Sequence, residues 1–340
     1  MRFAVIGAGS WGTTLANHLC GMGHQVTLWV YEAELLEQMR CQGLNTVYLP
    51  GVPLDPRIRL EGDLLEACKG AGCLLMAVPS HVYRQVLTNL LPVLDGSQVI
   101  VSATKGIEVG TLMTMSQLVS SLAGEVPYAA LSGPSFAREV ARGLPTAVTL
   151  ASRSLELATR LQSLFSTDRF RVYAHDDVIG AELGGAVKNV IAIAAGISDG
   201  LGFGLNARAA LLTRGLSEMM RLGVRMGANP LTFGGLSGIG DLILTCTGDL
   251  SRNRTVGLRI AGGESLEEIS RSMVAVAEGV ITTRSLRELA HREQVDMPIA
   301  EQVYQVLYQG KQPLEALNDL MNRPLKREIS LIPAMGTPLS

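Results

Sequence analysis

The sequence predicts two structural regimes in one chain: an α/β N-terminal domain built on a doubly wound parallel sheet, then a mostly α-helical C-terminal domain. Two observations carry this. Short apolar runs rich in β-formers alternate with helical patterns up to about Tyr173, and beyond it long helical periodicity takes over with little strand signal. The strand candidates are continuous rather than alternating in apolar character, so they need cover on both faces, as a parallel sheet provides. The division is drawn as residues 1–178 and 179–340.

Composition sets the outer bounds. A chain of 340 residues, 47% hydrophobic and 18% charged, can bury two large cores. Its net charge of -2, from 29 basic and 31 acidic residues without a long run of one sign, argues against a nucleic-acid or membrane-surface partner and for a small molecule. The five cysteines (Cys20, Cys41, Cys68, Cys73, Cys246) are odd in number and form no C-x-x-C pair, so neither a disulfide framework nor a metal site is expected. No cationic leader precedes "MRFAVIGAG" and no apolar run approaches the roughly 20 residues that span a bilayer, so the expectation is a cytoplasmic protein without stable membrane insertion. The sequence is compatible with a homodimer and does not specify one.

In chain order, the strand candidates are "RFAVIG", "QVTLWV", "CLLMAV", "QVIVSAT", "YAALS" and "TAVTLAS". Between the second and third lies "NTVYLPGVPLDPRIRL", whose Pro50, Pro53 and Pro56 predict an irregular excursion. Asn206 to Met226 and Glu278 to His291 read as long helices. The tail "LKREISLIPAMGTPLS" loses helical periodicity and reads as a loosely attached end.

The first strand runs into "GAGSWG", a G-x-G-x-x-G turn at the start of a helix. Gly7 permits the tight turn, Gly9 lets backbone approach a pyrophosphate, and Gly12 lets helix pack closely on strand. The free N–H groups of that helix start, with Ser10 and Trp11, then face a diphosphate. This makes the N-terminal domain Rossmann-like and the cofactor a dinucleotide, NAD or NADP. At the end of the second strand come Tyr31 and Glu32; Glu32 either accepts ribose hydroxyls and repels a 2'-phosphate, which leans toward NAD, or is an exposed acid at a helix start.

Ligands of open α/β sheets sit beyond the carboxyl ends of strands. There the sequence places Pro79 and Ser80, Lys105 in "SATKGIE", and Gly133 with Ser135 in "LSGPSFARE". Lys105 either holds an anionic substrate or is a solvated loop lysine; Gly133 and Ser135 are either donors to a ligand or a turn and a cap.

The helical half poses the sharpest question. In "ELGGAVKNVIAIAAGISDG" one lysine, Lys188, shares a helix face with Ala181, Gly184, Gly185, Ile191, Ala192 and Ala195. Either it snorkels to water, or a cleft wall holds it partly dehydrated, lowering its pKa and making it a proton acceptor. Downstream, Arg252 and Arg254 open a helix after Ser251, where the macrodipole disfavours cations by about 0.3–1 kcal/mol each. An anion bound there would remove the conflict, with Ser251, Arg252 and Asn253 as a phosphate receptor. Asp241, after the glycine-rich "SGIG", either caps "LILTC" or sits half buried beside Lys188, orienting it and holding a hydroxyl while raising its pKa.

These residues resemble the bacterial NAD(P)-dependent glycerol-3-phosphate dehydrogenases over nearly the whole chain, from Met1 to about Arg323. The resemblance rests on "GAGSWGTTLA", "VPSH", "ATKGIE", "LSGPSFAREVARGLPTAV", "LGGAVKNVIAIAAGISDGLGFGLNARAALLTRGLSEM", "GLSGIGDLILTCTGDLSRNR" and "EGVITTRSL". It implies interconversion of dihydroxyacetone phosphate and sn-glycerol 3-phosphate for glycerophospholipid synthesis, with Lys188 as the group that exchanges the C2 hydroxyl proton. It implies substrate contacts from Lys105, Gly133, Ser135, Lys188, Asp241, Ser251, Arg252 and Asn253, and cofactor contacts from Ser10, Trp11, Tyr31, Lys105, Ala137, Arg252, Val276 and Glu278. Ala137, Val276 and Glu278 enter by resemblance alone. One departure stands out: members often carry Arg or His where this chain has Tyr31, which puts use of NADP in question. A hydroxy-acid dehydrogenase of the same plan would need no phosphate receptor, and a non-catalytic dinucleotide sensor would need neither Lys188 nor Asp241.

Overall fold

A computed structural model of the chain describes residues 1–273, 277–325, 327 and 328; Val276 and the tail from residue 329 lie outside the described residues. The N-terminal elements are β1 (Arg2–Ile6), α1 (Ser10–Gly21), β2 (Gln25–Trp29), α2 (Ala33–Gln42), β3 (Arg59–Glu61), α3 (Leu64–Cys68), β4 (Cys73–Met76), α4 (Ser80–Leu90), β5 (Val99–Ser102), α5 (Met115–Ala123), β6 (Tyr128–Ser132), α6 (Ala137–Ala141), β7 (Thr146–Ala151), α7 (Leu155–Phe165) and β8 (Phe170–His175). Then follow α8 (Val178–Gly200), α9 (Gly204–Arg225), α10 (Asp241–Thr247), α11 (Arg252–Ala261), α12 (Leu266–Ser272), α13 (Glu278–Arg292), α14 (Pro298–Tyr308) and α15 (Pro313–Met321). The eight strands form one sheet in the order β3-β2-β1-β4-β5-β6-β7-β8. All six strands expected from the sequence are present.

The sheet is covered on both faces, and β1 shows how: Phe3 and Val5 point into one apolar core, Ala4 and Ile6 into another. Every residue of β4 and β5 is buried, which is why those runs carry no polar alternation. Two strands depart from the expected pattern. β3, an edge strand of three residues, closes the proline-rich excursion, and β8 alternates buried Phe170 and Val172 with exposed Arg171 and Tyr173. The sheet is also not wholly parallel. β6 pairs antiparallel with β7, so β7 and β8 run opposite to the rest. The five-residue α6 extends about 7.5 Å at 1.5 Å per residue, too short to carry the chain back along β6 for a parallel crossover.

The helical half is organised around α8, buried on all sides. It is long and apolar enough to cross a membrane by length and composition, but 89% of that window is buried inside the protein, so it is a core helix. Its glycines let other backbone come close: a Cβ at Gly184 would lie 2.1 Å from Ser237 O, and one at Gly196 2.1 Å from Arg254 O. Asp177, just before α8, accepts from Gly180 N at 2.9 Å and caps it. α8 opens at Val178, three residues beyond the end of β8, so a division after residue 178 leaves the first helical residue with the sheet.

Candidate active site

The glycine turn lies between the carboxyl ends of β1 and β4, where strand order reverses. Gly7 has φ +110°, and a Cβ there would lie 2.9 Å from Ala77 O at the end of β4. A Cβ at Gly12 would lie 1.9 Å from Gly7 O, so only glycine lets α1 start this close to its strand. Gly9 differs: nothing lies within 4 Å of its missing Cβ, and as N-cap of α1 it makes no side-chain cap bond. The helix start therefore presents free N–H groups to open space, an arrangement that fits a dinucleotide pyrophosphate. Ser10 is the first helical residue, and Trp11 packs half-buried on the core beside Phe170. Ala137, at the start of α6, accepts from Thr14 at 3.2 Å, which brings a second helix start beside the first.

At the ribose end, Tyr31 is 77% exposed, with its ring edge-on to Trp29. Glu32 accepts from Tyr48 Oη at 2.9 Å, so the excursion folds back over this corner. Asn45 fixes that fold, donating to Ala8 O at 2.8 Å and to Thr13 Oγ1 at 2.9 Å. Neither Asn45 nor Tyr48 carries a recognisable sequence signal, since a loop's docking site is not encoded locally.

The second constellation sits where α8 meets the sheet. Lys188 is 7% exposed, which removes the snorkelling alternative. Its Nζ donates to Asp241 Oδ1 at 2.9 Å and to Thr245 Oγ1 at 2.8 Å. Burial pushes Lys188 down to about 8, although Asp241 pulls the other way. Asp241 is 1% exposed and is the first residue of α10, not its cap, a place held by Gly240. It also accepts from Lys105 Nζ at 2.5 Å, and Lys105 donates to Gly133 O at 3.1 Å. Burial works against the Asp241 carboxylate, but Lys105 and Lys188 outweigh it and hold its pKa below the ordinary value. Two cationic side chains share one carboxylate, so the cluster as a whole carries an excess of positive charge.

Gly133 has φ +135°, and its Cβ would lie 3.0 Å from Val148 Cα; Ser135 donates to Gly133 O at 3.0 Å. Turn and donor are thus the same few atoms. At α11 Ser251 is both buried and the N-cap, accepting from Arg254 N at 3.2 Å. The two arginines separate. Arg254 is tied to Asp199 at 2.8 Å and Asp249 at 3.1 Å, whereas Arg252 has no hydrogen bond or ion pair among the described residues. Asn253 donates to Asn189 Oδ1 at 2.8 Å and accepts from Gly279 N at 2.9 Å, joining α8, α11 and α13. Glu278, first residue of α13, accepts from Ser80 Oγ at 2.6 Å, linking that helix to the start of α4. Burial raises the Glu278 carboxyl against the opposing Ser80 bonds.

Thr245 went unnoticed in the sequence. Its signal exists only once α10 is known to start at Asp241, because i and i+4 then share a face.

Comparison with known proteins follows the same outline. A family model described as NAD-dependent glycerol-3-phosphate dehydrogenase N-terminus matches residues 2–158, and its C-terminus counterpart matches residues 177–318. The chain is 58% identical over 330 residues to glycerol-3-phosphate dehydrogenase (NAD(P)+) of Citrifermentans bemidjiense, covering 96% of this chain and 98% of that one. It is 55% identical to the enzyme of that name from Geobacter sulfurreducens, with the same coverage. Among solved structures, glycerol-3-phosphate dehydrogenase from Coxiella burnetii superposes with a TM-score of 0.92 at 42% identity, covering 95% of this chain and 99% of that one.

Proposed function

Because the chain belongs to the NAD-dependent glycerol-3-phosphate dehydrogenase family, we infer that the Lys105–Asp241–Lys188 seam is where its reaction takes place. The chain is an oxidoreductase acting on a CH–OH group with NAD or NADP, interconverting dihydroxyacetone phosphate and sn-glycerol 3-phosphate. Glycerol phosphate made this way supplies glycerophospholipid synthesis.

The glycine turn and the start of α1 would hold the diphosphate of a nicotinamide cofactor, which when bound would supply or accept the hydride at C2. The chain's residues do the rest. Lys188 gives a proton to the C2 oxygen in reduction and takes it back in oxidation, and a pKa near 8 suits both directions near neutral pH. Asp241 and Thr245 hold the lysine's other N–H bonds and so aim its remaining hydrogen or lone pair. Lys105 bridges the two halves and, with Ser135 and Gly133, lines the substrate side. Arg252, which makes no hydrogen bond or ion pair among the described residues, and the free N–H groups at the start of α11 take the phosphate. Ser10, Trp11, Ala137 and Glu278 border the cofactor.

The observation that carries this reading is a buried amine with two fixed partners at the seam between a dinucleotide crevice and an anion-ready helix start. The test is NADH oxidation with dihydroxyacetone phosphate by the full chain and by Lys188→Ala. The expected result is a loss of kcat by about 10²–10⁴-fold with NADH binding intact. A Lys188→Ala enzyme with near-normal kcat would refute the role.

We further propose a boundary at 178/179, a cytoplasmic setting and a homodimer. The last rests on Leu205 and Leu231, 73% and 81% exposed, apolar surface that a second copy would cover. Light scattering on the purified chain decides it, and a monomer mass overturns it.

A further inference from the structure

Apart from Lys188 and Asn189, the buried first half of α8 contains one further ionisable or amide side chain, Glu182. It is 7% exposed and accepts three hydrogen bonds: from Ser116 N at 2.8 Å, Ser116 Oγ at 2.6 Å and Tyr128 Oη at 2.5 Å. All three donors belong to the sheet half, on α5 and β6, and none to the helices of the C-terminal half. The proposed chemistry uses neither Glu182 nor its donors.

A buried carboxylate is costly, and apolar residues would fill this site with less penalty. What the carboxylate adds is direction. On the sheet-facing side of α8 near the seam, Ala181 packs with Ala130 and Ala151 and Gly185 lies against Ser132, small residues that allow close approach but offer little knob to stop the helix sliding or turning. A Cβ at Gly185 would lie 2.8 Å from Ser132 Oγ and 3.3 Å from Lys105 Cγ, so the helix backbone runs directly along the stem of Lys105. Glu182 precedes Lys188 by six residues, about 9 Å along the helix axis at 1.5 Å per residue. Asp241 and Thr245 are in the helical half and move with Lys188; Lys105 and the glycine turn are in the sheet half and do not. A helix anchored to the sheet at Glu182 therefore adds a second tie, beside the Lys105–Asp241 bridge, that fixes the amine relative to the glycine turn.

We propose that Glu182 is a positioning residue, clamped by Ser116 and Tyr128, that registers the Lys188 helix against the nucleotide-binding sheet. The proposal rests on the role given to Lys188. Misplacement of reacting groups by about 1 Å can cost around 10²-fold in rate, so the effect falls on the chemical step.

The experiment uses the full chain with Glu182→Ala, Glu182→Gln and Tyr128→Phe. It reads kcat, both KM values, the melting temperature and the primary isotope effect with NADH deuterated at C4. Glu182→Ala is expected to lower kcat about 10–100-fold with KM for NADH within about twofold, and to raise the isotope effect as hydride transfer becomes limiting. Glu182→Gln and Tyr128→Phe move the same way by less, and they carry the test should the alanine variant not fold. In a Lys188→Ala background, Glu182→Ala adds little, because it acts through the lysine. Unchanged kcat and isotope effect in all three variants overturn the proposal, as does a full additional loss in the Lys188→Ala background. Near-normal Lys188→Ala activity instead refutes the proton role itself.

Discussion

The glycine turn and the lysine seam both meet negatively charged or electron-rich ligand atoms, and they do so by opposite means. The turn uses no charged side chain: backbone N–H groups and a helix dipole face a space kept empty by Gly9. The seam uses buried charge, with Lys105 and Lys188 on one carboxylate. A backbone site is sensitive to any added atom and indifferent to pH. A side-chain site is sensitive to the removal of one group and titrates. The contrast therefore assigns each region its own way of failing.

Among changes that act on ligand binding, the largest expected effect is at the turn. Gly9→Ala adds a methyl to space that the folded protein leaves open at an ordinary φ of -64°, so the melting temperature should hold. The methyl would occupy the pyrophosphate position, and NADH affinity should fall by about 100-fold or more. Gly12→Ala, whose methyl meets Gly7 O, should lose both affinity and stability, the latter by about 1–3 kcal/mol. Calorimetric titration with NADH and thermal melts separate the two; equal melting losses would mean that the turn is one packed unit with no ligand space.

A smaller effect is expected at α11. Arg252→Ala removes a cation that has no hydrogen bond or ion pair among the described residues and should raise KM for dihydroxyacetone phosphate by about 10–100-fold, the value of a charge-assisted bond of roughly 1.5–3 kcal/mol. A change confined to NADH affinity would move Arg252 from the seam to the turn. Arg254→Ala should act through stability, because Asp199 would lose one of its two arginine partners.

The same contrast explains what the sequence could reveal. The turn is contiguous, so spacing alone exposes it, as apolar continuity exposes β1, β2, β4, β5, β6 and β7. β3 and β8 escaped because edge strands need no continuous apolar run: Arg171 and Tyr173 face solvent between buried neighbours. The reversal at β7 was invisible because strand direction depends on where the chain goes, not on which residues form the strand. In the seam, residue types suggested Lys188 and Asp241, but their meaning depended on burial. The division of labour between Arg252 and Arg254 could not be read at all, since it is set by Asp199, 55 positions away. Glu278 needed the resemblance, and its partner Ser80 is 198 positions distant.

The finest test of the contrast is pH, which should act on the seam and spare the turn. Lys188 must be charged to donate a proton in reduction and neutral to accept one in oxidation. With its pKa lowered to about 8, kcat for reduction should be flat below that pH and fall about tenfold per unit above it, while oxidation rises up to about 8 and then levels. NADH binding, resting on backbone, should stay level across the same range. Asp241 raises the lysine's pKa, so Asp241→Asn should move both limbs to lower pH. Arg252→Ala, with no contact to the amine, should leave them in place. Limbs that stay near 8 in Asp241→Asn would mean that the titrating group is not the buried lysine, and the assignment of the proton would pass to another side chain.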